Sequence, residues 1–388
     1  MSRKMFVHLS VNLTVCILVI SLTPALTNAD EVNWQFVGLR GKSIRSLYVH
    51  PETPTIIYAL VSTLGRGSVY SSIDGGSSWK IIDDDVDAFA LSPGPPDILY
   101  ISRSVKPVGR IVLRATLFES RDGGENWREI YQERLSRSGG NIRDIVVPPD
   151  AKGLIYIAFQ IHAIHFYKST DGGHSFREIG DTTIGASPFS LAVTQTRPEV
   201  VYWTDDWNGI FYKYSEVTGR VALPVPKNPH RRFPPSNPLN DYAESIAVHP
   251  LQPHVLYAVR GRTFYGVDSA IFKSEDLGHN WKLIFQRNPG PSWLLLIHPR
   301  QPQVMYARGY GYRTEKYAFY RSSDSGKSWR RMNEPVADFR VNTVVYSEKT
   351  DQLYAGTADG VYIIDGLITS VQAKGKVVSS WGRIKNMR

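Results

Sequence analysis

Ser72-Ile73-Asp74-Gly75-Gly76-Ser77-Ser78-Trp79 is the stretch whose reading decides the fold. Its pattern, Ser-x-Asp-x-Gly-x-x-Trp/Phe, returns at Ser120 to Trp127, Ser169 to Phe176, Ser274 to Trp281 and Ser322 to Trp329. The aspartates Asp74, Asp122, Asp171, Asp276 and Asp324 are spaced by 48, 49, 105 and 48 residues. The gap of 105 is close to two periods and hides one degenerate unit. An aspartate two residues before a glycine accepts hydrogen bonds from its own turn. The glycine supplies a positive φ at low cost, and the aromatic offers a large apolar area. One such turn per repeat cannot assemble one active site, so the five aspartates are read as structural.

A second marker completes the count. An apolar pair followed by tyrosine recurs at Tyr58, Tyr100, Tyr156, Tyr202, Tyr257, Tyr306 and Tyr354, which makes seven units. Before most of them a short apolar run ends in a proline corner, as in Val49-His50-Pro51, Val248-His249-Pro250 and Ile297-His298-Pro299. These histidines are read as turn residues. Each unit holds four strand-length pieces, here a to d from the axis outward. About 48 residues with four strands is the period of a propeller blade. The expected fold is all-β, a seven-bladed β-propeller of four-stranded antiparallel blades. Strand d is expected to start at the aromatic of each aspartate turn. The seventh unit lacks that turn. Trp34-Gln35-Phe36-Val37 reads as its missing outer strand, and Trp381-Gly382-Arg383-Ile384 competes for the slot. Closing the ring by pairing the two ends removes an exposed sheet edge.

The aspartate motifs resemble the Asp boxes of BNR-repeat propellers. Those include sialidases, the sortilin luminal domain, xyloglucan-degrading hydrolases and the photosystem II stability/assembly factor family. An exported single propeller of this length is most similar to the assembly-factor-like group. The resemblance covers nearly the whole chain after its first 29 residues and implies the fold far more strongly than the function.

Composition agrees. The chain has 388 residues, 21 Tyr and 9 Trp, with 31 Gly and 24 Pro for tight corners. Its one cysteine, Cys16, excludes a disulfide framework and a cysteine-based site in the folded body. Arg3 and Lys4, an apolar run to Leu22, Pro24 and small residues before Asp30 form the pattern of a cleaved secretory signal over residues 1–29. An uncleaved anchor is the alternative, since the run approaches spanning length. The expected organisation is signal 1–29, propeller 30–373 and a basic tail 374–388. Without the signal the formal charge of +9 becomes +7, and the tail holds five of those cations. A nucleic-acid partner needs a basic face on the body, so none is expected.

Topology sends the a–b corners and the aspartate turns to one face, and the b–c and d–a connections to the other. Partners are expected on the second face, near the central channel. Its candidate binding residues are Arg103, Arg110 and Arg114 in unit two, Trp203 and Trp207 in unit four, Arg260 in unit five, and Arg308, Tyr310 and Arg313 in unit six. Arginine offers planar donors for carboxylates, and aromatics offer rigid area for peptides or sugars. The expected function is an exported, non-enzymatic binding or assembly scaffold for a protein or glycan, acidic in character, acting as a monomer. The alternative is a glycoside hydrolase at the channel mouth, which requires two carboxyls roughly 5–10 Å apart. The clustered acids Asp83 to Asp87 and Asp205-Asp206 belong to units far apart around the ring. No catalytic residue, cofactor or metal is assigned. His162 and His165 stand three apart without an identified third ligand.

Overall fold

The computed structural model describes residues 32–62, 67–105, 114–134, 140–148, 152–182, 190–194, 196, 199–205, 210–224, 243–260, 269–287, 290–291, 293–311, 316–335 and 339–365. They form seven four-stranded antiparallel sheets, each one blade. Blade 1 runs Ser43–Val49, Ile57–Ser62, Gly67–Ser72 and Lys80–Val86; blades 2 to 6 repeat that order. Blade 7 takes Val341–Ser347, Gln352–Thr357 and Gly360–Asp365 from the end of the chain and Asn33–Gly38 from its start. Trp34 pairs with Ile364 and Phe36 with Tyr362, so the N-terminal strand closes the ring. Trp34 packs edge-on against Phe319, Phe339 and Tyr362, which ties blade 6 to blade 7. Trp381 to Ile384, the signal segment and the basic tail lie outside the described residues. Among the described residues no helix is long and apolar enough to cross a membrane.

All seven marker tyrosines sit on strand b, and all are buried. The aspartate turns are closed hydrogen-bond rings. In blade 1, Ser72 Oγ and Ser78 N donate to Asp74 Oδ1 at 2.8 and 2.9 Å, and Gly76 N donates to Ser72 Oγ at 2.8 Å. Asp122, Asp171, Asp276 and Asp324 repeat this arrangement. Strand d begins one residue later than the sequence suggests, at Lys80 rather than Trp79. In blade 1 the indole joins the turn, as Trp79 Nε1 donates to Gly76 O at 2.9 Å.

The last glycine of the motif joins neighbouring blades. A Cβ on Gly76, at φ +94°, would stand 2.0 Å from Val37 Cγ1 of the preceding blade. Ile82, Ile130, Leu223 and Ile284, each on the outer strand of the preceding blade, press in the same way on Gly124, Gly173, Gly278 and Gly326. The position before this glycine opens on free space in blades 1 to 3. It therefore tolerates Leu277 and Ser325 in blades 5 and 6, at φ 61°. That contrast explains why the repeated pattern is Asp-x-Gly. The turn aromatics fill the same seams: Trp79 packs between blades 7 and 1, Trp127 between 1 and 2, and Phe176 between 2 and 3.

Blade 4 is the degenerate unit. Its strand a is only Leu191–Val193, and a short turn after Ser215 replaces the aspartate ring. Thr218 N donates to Ser215 Oγ at 3.1 Å. Glu216 stitches this turn to blade 3, accepting from Lys168 at 2.7 Å and from Arg177 at 2.9 Å.

Candidate binding site at the channel mouth

Strand a lines the axis, and in five blades it carries a bulge near its start. The register skips one residue at Arg45, Arg143, Glu244, Leu295 and Asn342. A bulge re-aims the side chain that simple alternation would send elsewhere. Arg45 reaches toward the next two blades, donating to Asp87 O at 2.8 Å and to Arg143 O at 2.5 Å. Asn342 Nδ2 donates to Ile44 O at 2.9 Å. These bonds link blades 1, 2, 3 and 7 around the channel.

Arg45, Arg143, Arg308 and Arg340 converge on a cavity of about 430 Å³, walled also by Asp144, Asn342 and Trp293. The residues involved begin strand a or end strand b, so the cavity opens on the face of the b–c and d–a connections. Arg308 lies over the Trp293 ring at 5.3 Å, and Arg340 over Tyr317 at 5.4 Å. Burial and the nearby Arg45 cation lower the Arg143 pKa from its ordinary value. Burial pushes the Asp144 carboxyl up to about 6, against the pull of Arg45 and Arg143. The cavity thus holds four cations and one weakly acidic carboxyl, a setting that attracts an anion.

Of the six expected residues that are described, Arg308 alone is in the described lining of this cavity. Tyr310 stands two residues further along its strand, against Tyr317 at 4.9 Å. Arg103 is an ion-pair partner of the buried Asp83 and lies over Phe118 at 5.2 Å. Arg114 donates to Gln132 at 2.9 Å on the rim of blade 2. Arg260 is buried. Trp203 needs correction: it is fully buried, stacked on Tyr212 at 5.6 Å and packed against Phe166 at 5.0 Å. Strand b continues through it to Asp205, whereas the sequence reading began a loop there. Arg110, Trp207 and Arg313 lie outside the described residues. The corner histidines are structural: His50, His249 and His298 each accept two backbone N–H donors at Nδ1, at 2.9 to 3.2 Å.

Arg45 and Arg143 were missed because they stand in strands rather than loops; Arg340 stands in the d–a connection just before strand a of blade 7. A signal existed: Ile44-Arg45-Ser46-Leu47, Ile142-Arg143-Asp144-Ile145 and Val341-Asn342-Thr343-Val344 place a polar pair between apolar residues at one point of the repeat.

No family model matches the chain, and no curated protein matches it. Solved structures do. YCF48 bound to D1 peptide is similar over 87% of this chain and 96% of that one, at 12% identity and a TM-score of 0.56. YCF48 from Cyanidioschyzon merolae is similar over 85% and 98%, at 17% identity and a TM-score of 0.57. The GH74 xyloglucanase from Xanthomonas campestris is matched over 84% of this chain and 59% of that one, at 15% identity and a TM-score of 0.47. The likeness to the YCF48 structures is one of fold: a ring of the same build over nearly the full length of both chains.

Proposed function

We propose that this protein is an exported, non-enzymatic propeller that holds a carboxylate-bearing segment of a protein partner at the channel mouth. The observation that carries this is the convergence of Arg45, Arg143, Arg308 and Arg340 on one cavity. Guanidinium groups pair with carboxylates through two parallel hydrogen bonds. Trp293 beside Arg308 adds apolar area for a side chain flanking the acid. The solved complex of YCF48 with D1 peptide supports the reading, since a ring of this fold can carry a peptide. The apolar run behind Arg3 and Lys4 supports export. The protein acts as a monomeric assembly scaffold, without a nucleic-acid partner.

Glycoside hydrolysis by a carboxyl pair needs two facing acids. The described cavity lining contributes one, Asp144, and it stands beside Arg45 and Arg143. This favours binding over catalysis. The test is photo-crosslinking of a glutamate-rich peptide, followed by mapping of the linked residues. Crosslinks at strand-a starts around Arg143 and Asn342 are expected. Crosslinks confined to the aspartate-turn face, or cleavage of a glucan by the purified protein, would overturn the reading.

A further inference from the structure

The outer strands of blade 3 hold a second cluster. His165 is on strand c (Ile164–Ser169), and Glu178 and Asp181 are on strand d (Arg177–Asp181). His165 pairs with Asp181 across the sheet and Tyr167 with Glu178; the register skips Ile179 between them. Without the bulge, Glu178 and Asp181 would point to opposite faces, because strand side chains alternate. The bulge returns Glu178 to the face of His165 and Asp181. One potential ligand atom from each residue then lies within 4.8 Å of the other two.

We propose that His165, Glu178 and Asp181 form a binding site for a divalent transition-metal ion such as Zn²⁺. One imidazole nitrogen and two carboxylate oxygens on two hydrogen-bonded strands suit this class of ion, with a fourth position open to water. Tetrahedral zinc with ligand bonds of about 2.0–2.1 Å needs its ligand atoms about 3.4 Å apart. Half-exposed carboxylates reach that separation by small side-chain rotations. His165 Nδ1 already stands 2.8 Å from Glu178 Oε1.

The repeat supplies an internal control. The same bulge recurs in blades 1, 2 and 5, at Ile82, Ile130 and Ile284. The equivalent positions in blades 2 and 5 hold Thr116, Glu129 and Gln132, and Ala270, Leu283 and Gln286, and the two outer-strand positions in blade 1 hold Ile81 and Asp84. Blade 3 alone of these four combines the shared backbone with three metal-ligating side chains. The opposing interaction is also on the page. Arg220 forms an ion pair with Asp181 and lies over the Tyr212 ring at 5.4 Å. Metal binding must draw Asp181 away from that guanidinium, so Arg220 acts as a competitor that weakens the site.

The experiment is calorimetric titration of the tag-free protein with ZnCl₂, with a thermal melt of each variant to establish folding. One ion should bind to the site, and its binding should raise the melting temperature by mass action. His165→Ala and Glu178→Gln should each weaken binding about ten-fold or more, while Arg220→Ala should tighten it. His174→Ala, at an exposed turn residue of the same blade, should leave it unchanged. Absence of zinc binding to the wild type would overturn the proposal. So would binding that survives in folded His165→Ala and Glu178→Gln proteins. If His165→Ala fails to fold, Glu178→Gln and Arg220→Ala, on exposed side chains, still decide the question.

Discussion

The two faces of the ring use their charges in opposite ways. On the aspartate-turn face each of the five motif aspartates is answered within its own turn. Hydrogen bonds from Ser78 and Ser72 hold Asp74 down at about 2, and Asn126 and Ser120 do the same for Asp122. On the channel face, cations from several blades are drawn toward one another, and Asp144 is held above the usual carboxylate range by burial. Charges answered within one turn stabilise the fold; charges gathered from several blades set a potential at the channel mouth. The contrast teaches that the repeated residues build the ring, whereas the proposed recognition site is made of residues that differ between blades.

The largest effect expected is on the folding side. Trp203→Ala empties a fully buried site between blades 3 and 4 and should cost about 3–5 kcal/mol in a urea melt. Acidic-peptide affinity of the folded fraction should not change. A loss of affinity without a loss of stability would return Trp203 to the binding surface and break the contrast.

A matched pair of glycine variants sharpens it next. Gly76→Ala meets Val37 of the neighbouring blade at a positive φ and should cost about 2–4 kcal/mol. Gly75→Ala also has a positive φ but faces open space, so its cost should be about 1 kcal/mol. Equal melts for the two would show that φ alone, and not the contact between blades, governs this position.

Acid should act in two steps on the face that carries the aspartate turns and the corner histidines. The aspartates of the turns have lowered pKa values, so their stabilisation is complete above the ordinary carboxylate range and is lost as pH falls toward about 2. His298 is held below its ordinary value by burial. Its share of stability is full above about 6.5 and declines as pH falls below that. Burial lowers the His249 pKa as well, so melts at stepped pH should show a first decline below neutrality that His298→Asn reduces and His249→Asn reduces further, and a second, larger one in strong acid.

The smallest effect concerns Asp144. Its carboxyl is raised to about 6, so lowering pH from 7 to 5 neutralises the one acid of the described cavity lining. The affinity for an anionic peptide should rise a few-fold over that interval, and Asp144→Asn should abolish the rise. An unchanged slope in the variant would assign the titration to another group.

Much of the ring was legible because it rests on repetition. Seven buried tyrosines, five aspartate turns and the closing strand at Trp34 all follow from chemistry that recurs at a fixed period. The channel was less legible for a physical reason. Reading a strand from sequence assumes alternation, and the bulges at Arg45, Arg143 and Asn342 break it. Loop boundaries failed at Trp203 and Arg260 because strand b runs past its tyrosine, to Asp205 and to Arg260, with every residue buried. Arg103 was read as a surface cation since its partner, Asp83, lies 20 residues away in sequence.

The most direct test of the account is a binding titration of a glutamate-rich peptide against the wild type and the Arg143→Glu/Arg340→Glu protein, repeated at rising salt. The double reversal should weaken binding about ten-fold or more at low ionic strength while leaving the thermal melt in place. The difference should shrink as salt shortens the Debye length below about 8 Å. Unchanged affinity in a folded double variant would contradict the assignment of recognition to the channel mouth.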